Sequence, residues 1–140
     1  MKALGWIAIL VLAGTGVWAA TAWPRINLVE TGRTPEYPEL QDRTYSNSPQ
    51  RVLEAVKDAL EDRPGWRVSG SGQGPGGVAV SAIHETRLLR FKDDVTVKIR
   101  REEGQTVVSV RSQSRVGEWD FGQNARNVQE LLQALDAELR

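Results

Sequence analysis

VTVKIRREEGQTVVSVRS, residues 95–112, is the stretch on which the fold turns. Val95, Val97 and Ile99 alternate with Thr96, Lys98 and Arg100, the period of a strand with one face buried and one in water. Glu102-Glu103-Gly104-Gln105 supplies a turn, and Thr106–Ser112 returns as the hairpin partner. A hairpin with one apolar face needs a cover. Downstream, Phe121, Ala125, Val128, Leu132, Leu135 and Leu139 follow at steps of four and three, an amphipathic helix. Asp120 reads as its cap, with Gln123 in the capping-box position. Upstream, Val78, Val80 and Ala82 predict another strand, and Trp66 with Val68 a short one. Between them GSGQGPGG, Gly70–Gly77, reads as a flexible hairpin loop. Ser48-Pro49 opens a first helix striped by Val52, Leu53, Val56 and Leu60, and Pro64-Gly65 closes it. Residues 48–140 are thus expected to form an α+β domain: helix, four-stranded antiparallel sheet, helix, in two layers with both helices on one face. There is no internal repeat.

Working back to the N-terminus, residues 24–47 hold Pro24, Pro35 and Pro38 with no helical period, and read as an extended linker. A minor alternative lays Tyr37, Leu40 and Tyr45 along the domain as an edge strand. Ala3–Trp23 carries no charge; as a helix it reaches roughly 30 Å, the thickness of a bilayer core. Trp6 near one end and Trp18 and Trp23 near the other suit the two interfaces. Residues 1–23 are therefore read as a transmembrane anchor, with membrane lipid as partner. The competing reading is a cleaved signal peptide, since Ala20-Thr21-Ala22 has the small-x-small form. Either reading favours export, so the domain is expected to be extracytoplasmic, periplasmic or equivalent, and single-pass if uncleaved.

Composition closes off several function classes. Eighteen basic and 18 acidic residues give zero net charge, without the basic footprint of a nucleic-acid binder. The absence of cysteine removes disulfides, thiolate metal sites and catalytic thiols. One histidine leaves little for a metal site, and no cofactor is expected. Gly72-x-Gly74-x-x-Gly77 has the letters of a dinucleotide fingerprint, but a strand follows where a helix is required. His84-Glu85 has no second His one turn on, and it reads as an ordinary solvated or hydrogen-bonded residue. Asp93 and Asp94 are a carboxylate pair on paper, yet strand neighbours face opposite ways, so capping the hairpin's start is their expected role.

The densest polar run is RSQSRVGEWDFGQNARN, Arg111 to Asn127, from a strand end into a helix start. Arg111, Ser112, Ser114, Arg115, Asp120 and Asn124 are the candidate site residues, because helix N-termini and arginine forks hold anions. A small anionic ligand is one reading. The favoured one is a structural lock, in which Asp120 caps the helix and pairs with Arg111 or Arg115.

Phe91-Lys92-Asp93-Asp94-Val95, Arg111–Gly117, Asp120–Asn124 and Thr34-Pro35-Glu36-Tyr37-Pro38 together resemble the bacterial and plastid family of proteins of unknown function numbered 1499. The resemblance implies a fold and a location, since members often carry membrane segments before the domain or sit in the thylakoid lumen; it implies no activity. The family usually has Arg where this chain has Asn127, and here Arg126 stands one place earlier, rotated by about 100° on a helix. The Pro-Asn-Cys segment of some members is absent. The first reading is then a membrane-anchored binding or scaffolding domain, not an enzyme, whose partner is an envelope protein or a small anionic ligand at the Arg111–Asn124 corner. The second is a hydrolase or isomerase using Asp93, Asp94, His84 or Asp120 with arginine support. A third is a structural membrane-surface module with no pocket at that corner.

Overall fold

The computed structural model describes residues 23–140. Chain order is β1 (Leu28–Glu30), β2 (Arg43–Tyr45), α1 (Pro49–Glu61), β3 (Trp66–Gly74), β4 (Gly77–Glu85), β5 (Lys92–Glu102), β6 (Gln105–Ser114) and α2 (Gln123–Leu139). The strands form one six-stranded sheet in the order β1-β6-β5-β4-β3, with β2 also pairing β6, and every pairing is antiparallel. The β5–β6 hairpin lies where the alternation placed it, with Val97 opposite Val110 and Glu102 opposite Gln105.

Both helices cover the same face. Val52, Ala55, Val56 and Leu60 of α1, and Val128, Leu131, Leu132, Leu135 and Leu139 of α2, meet Val80, Ala82, Val95, Val97, Ile99, Val108 and Val110. Ser48 caps α1, its hydroxyl accepting from the Arg51 N–H at 3.2 Å. The α+β class, the antiparallel sheet and the two helices follow the sequence reading. The strand count does not.

Two corrections explain the difference. Residues 24–47 are not a spacer. Leu28–Glu30 and Arg43–Tyr45 share the outer edge of β6, β1 opposite Arg111–Gln113 and β2 opposite Thr106–Val108. Val29, Leu40 and Tyr45 are buried in the core, and the Tyr45 hydroxyl donates to Asp136 on α2 at 2.9 Å. Pro35 and Pro38 lie in the turns between these strands, where a missing N–H does no harm. The stretch Gly70–Gly77 is not a loop either. Ser71, Gly72, Gln73 and Gly74 continue the β3 ladder against β4, after a register shift between Val68 and Gly70. Pro75-Gly76 alone makes the turn. At Gly77, φ is +110° and an added Cβ would collide with the Ile99 carbonyl, so only glycine fits.

Among the described residues, no helix is long and apolar enough to cross a membrane. Ala3–Ala22, nearly all of the segment read as an anchor or signal peptide, lies outside them.

Candidate functional site

The alternation of β5 continues inward past Val95 to Asp93, which carries a carboxylate into the core with 1% of its surface exposed. Its Oδ1 accepts from the Ser114 hydroxyl at 2.8 Å and its Oδ2 from the Asn127 amide at 2.9 Å. The Nδ1 of His84 stands 3.3 Å from the same Oδ2. Register brings these together: β4 sets His84 opposite Asp93, and β6 sets Ser114 opposite it on the other side. Helix α2 then lays Asn124 and Asn127 over them. The Asn124 amide donates to the Ser114 hydroxyl and to the Asn27 carbonyl, both at 2.9 Å, and its oxygen accepts from Ser112 at 2.6 Å. Asn127 also donates to Ser112 at 3.1 Å and accepts from Gln123 at 2.9 Å. Such a network is stable only when each buried group finds a partner, and here each does.

This geometry answers the catalytic question in part. A serine nucleophile needs its hydroxyl on the imidazole, with the carboxylate behind. Here Ser114 and His84 both bond to Asp93, which stands between them. Asp94 points to the opposite face, as the strand period requires. Arg115 grips it there in a fork at 2.9 and 2.7 Å. Hydrogen bonding to Arg115 holds the Asp94 carboxyl below its ordinary value of 3.8. The ionised form therefore stabilises the fold above that value, and the contribution disappears as pH falls through the lowered one. With the two side chains 53% and 43% exposed, the effect is small. Urea unfolding of Asp94→Asn should show a slight loss at pH 7 that shrinks progressively as the pH is taken below 3.8.

The Arg111–Asn124 corner forms only half of the lock expected: Asp120 holds N–H groups at the start of the helix but pairs with no arginine among the described residues. Arg111 lies on the outer face beside Gln113 and Glu30, and Arg115 is held by Asp94. Asp120 pairs with neither. Its Oδ1 accepts from the Gly122 N–H at 2.9 Å and its Oδ2 from the Asn124 N–H at 2.7 Å. Gln123 turns to Asn127 and Arg126, so no capping box forms. Helix α2 starts at Gln123, with Gly122 before it in the left-handed conformation at φ +76°. The N–H groups of Gly122, Gln123 and Asn124, on which an anion would settle, are already taken by Asp120.

Sequence reading missed what lies beside this corner. The 86–91 turn and the 115–122 segment leave the sheet at the same end, since Asp93 faces Ser114 and the Arg115 N–H donates to the Lys92 carbonyl at 3.0 Å. Between them lies a cleft of about 310 Å³. Leu88, Leu89, Phe91, Val116 and Phe121, which are the exposed large hydrophobic residues among the described residues, all line it. Thr86 ties the first turn across its base: its N–H donates to the Phe91 carbonyl and its hydroxyl accepts from the Phe91 N–H, both at 2.9 Å. Leu88 is thus held outward, 90% exposed. Trp119 stacks on Phe121 at 4.1 Å, and Arg25 lies 5.5 Å from the Trp119 ring centre. Asp93, Ser114, Asp120 and Gln123 add the polar part of the lining. Asp94 and His84 do not take part; His84 lines a separate hollow with Trp66 and Arg87. Leu88-Leu89-Arg90-Phe91 was the available signal, an apolar cluster in a turn.

Among the described residues no group of three or more His, Asp or Glu side chains is placed to hold a metal ion. Residues 19–135 match the family model described as Protein of unknown function (DUF1499). The chain belongs to this family. In this DUF1499 protein Asn127, at the position where the resemblance expects arginine, is the buried amide that faces Asp93. No curated protein matches the DUF1499 chain. Among solved structures it is similar to protein CV1439 from Chromobacterium violaceum, at 14% identity over 81% of this chain and 97% of that one, TM-score 0.43. A START superfamily protein from Mycobacterium smegmatis matches at 12% identity over the same shares, 81% and 97%, TM-score 0.44.

Proposed function

We propose that this DUF1499 chain is a membrane-anchored, extracytoplasmic binding module whose cleft between residues 86–91 and 115–122 takes an apolar or amphipathic molecule, and that it is not an enzyme. One observation carries the reading: the exposed large apolar side chains of the described residues gather around a single cleft. Isolated exposed hydrophobics are ordinary on any protein, whereas a cluster rimming a concavity with a few polar groups inside is the usual form of a ligand site. The polar lining selects the ligand's head. Asp93 and Asp120 put negative charge beside the cleft; their oxygens, like the nearby arginine fork, already have partners, so their field and not a direct bond acts on the head. A neutral or cationic head suits such a lining and an anionic one does not, which turns the proposal away from the small anion.

Residues 23–140 titrated with the neutral fluorophore N-phenyl-1-naphthylamine should bind it saturably. Phe91→Ser, at a half-exposed position, should leave folding intact and weaken binding about tenfold, the loss expected for one partly buried ring. Dodecylammonium should displace the probe at lower concentration than dodecanoate. Absence of saturable binding, or turnover of ester, phosphate or glycoside substrates, would overturn the reading.

A further inference from the structure

The tether has almost no length. Residues 24–47 are folded into the sheet, and the first described residues are already bonded to the cleft. Trp23 packs over Gly122, where an added Cβ would stand 2.6 Å from the Trp23 ring. The Asp120 N–H donates to the Ile26 carbonyl at 3.1 Å, and the Ser114 N–H to the Asn27 carbonyl at 2.9 Å. The Asn27 side chain reaches the Gly117 carbonyl at 2.6 Å. A helix spanning the bilayer through residues 3–23 would therefore deliver the domain to the surface with this end down.

We infer that the tips of the 86–91 and 115–122 segments, led by Leu88, Leu89 and Val116, sit in the interfacial layer of that bilayer, so that the cleft opens onto lipid instead of water. The occupant follows from where the undescribed chain joins the domain: the apolar run ends at the cleft's rim. The chemistry of the rim agrees. Among the described residues Leu88, Val116 and Leu89 are the most exposed large hydrophobics, Trp119 and Trp23 are of the type that settles at headgroup level, and Arg87 and Arg90, the latter paired with Glu85 at 2.8 Å, have the reach to leave apolar stems in the layer and charges outside it. Glu118 is the one exposed carboxylate in the 86–91 and 115–122 segments, whereas the far end of the sheet has no apolar cluster and exposes Glu102, Glu103 and Gln105. It lies about 33 Å away, eleven residues of β5 at strand rise. The inference rests on reading residues 3–23 as a span, and it does not require the cleft to hold a ligand.

The absence of cysteine makes the test direct. The full chain carrying Leu88→Cys, Val116→Cys or Gln105→Cys, labelled with bimane, is reconstituted into phosphatidylcholine vesicles. Each label is challenged with doxyl-labelled lipid and with iodide on both sides of the membrane. Labels at 88 and 116 should be quenched severalfold more by the lipid than the label at 105, and should be shielded from iodide. A label at 88 as open to iodide as that at 105 overturns the inference. So does one shielded from both quenchers, which would mean the chain's own N-terminal segment or a second copy covers the cleft. Failure to float with the vesicles removes the span and the inference together. Floating with an iodide-accessible Leu88 position removes the inference alone, and the probe titration in solution still decides the cleft reading.

Discussion

Asp93→Ala is expected to destabilise the domain by about 2–4 kcal/mol, at about 1–3 kcal/mol for each donor left short of an acceptor inside the fold. The Asp93 carboxylate accepts from Ser114 and Asn127 and faces His84, and all of it lies under α2. Alanine removes these acceptors without admitting replacements. The Ser114 hydroxyl then loses the acceptor for its proton and the Asn127 amide one of its two acceptors, each keeping only its bond to Asn124 or Ser112, and a donor left short inside the fold costs more than an exposed bond. For a domain of this size the unfolding midpoint should drop by about 10 °C. Asp93→Asn keeps one carbonyl oxygen facing Asn127 and offers an N–H toward Ser114, whose hydroxyl can accept, so about 1 kcal/mol is expected there. Thermal and urea unfolding of both variants beside wild type would check this. Equal loss in the two variants would mean that charge, not hydrogen-bond geometry, holds the cluster, and an unchanged Asp93→Ala would show that the network contributes nothing.

The difference between Asp93 and its neighbour shows how far the sequence could be read. Period-2 alternation requires Asp93 and Asp94 to face apart, and they do. That rule does not say which of them is buried until the strand's phase is followed back from Val95. Nor can spacing show what opposes them, because His84, Ser114 and Asn127 arrive through register and helix placement, both long-range properties. The cleft was illegible for a related reason. Leu88, Leu89, Phe91, Val116 and Phe121 belong to two turns that carry no period, and only the β5–β6 pairing brings those turns side by side. The glycines of β3 failed in the opposite sense. Local propensity marks Gly70–Gly74 as loop, whereas the β4 ladder alongside supplies the hydrogen bonds that hold it extended.

The same lesson applies with most force to residues 24–47, and it sets the second large effect: residues 48–140 alone should fail to fold, whereas residues 23–140 should unfold in one cooperative transition. Each strand in the removed segment is three residues long, too short to display alternation, and prolines stand between them, so composition alone describes a tether. In place, the segment buries Val29, Leu40 and Tyr45. At roughly 1.5–3 kcal/mol for each large apolar side chain, that burial is comparable with the entire 5–15 kcal/mol stability of a small domain. Its polar contacts tie the sheet as well. The Thr31 hydroxyl accepts from the Val110 N–H at 3.1 Å, and Asp42 accepts from Ser109 at 2.9 Å and Arg100 at 3.3 Å. Without β1 and β2, strand β6 becomes a long open edge, a template for aggregation. Circular dichroism melts and gel filtration of the two fragments would decide. Cooperative unfolding of residues 48–140 within a few degrees of the longer fragment would make the segment the spacer its composition suggests. It would also free the domain from the bilayer and weaken the case for lipid-seated loops, since that case depends on the chain reaching the cleft with no slack.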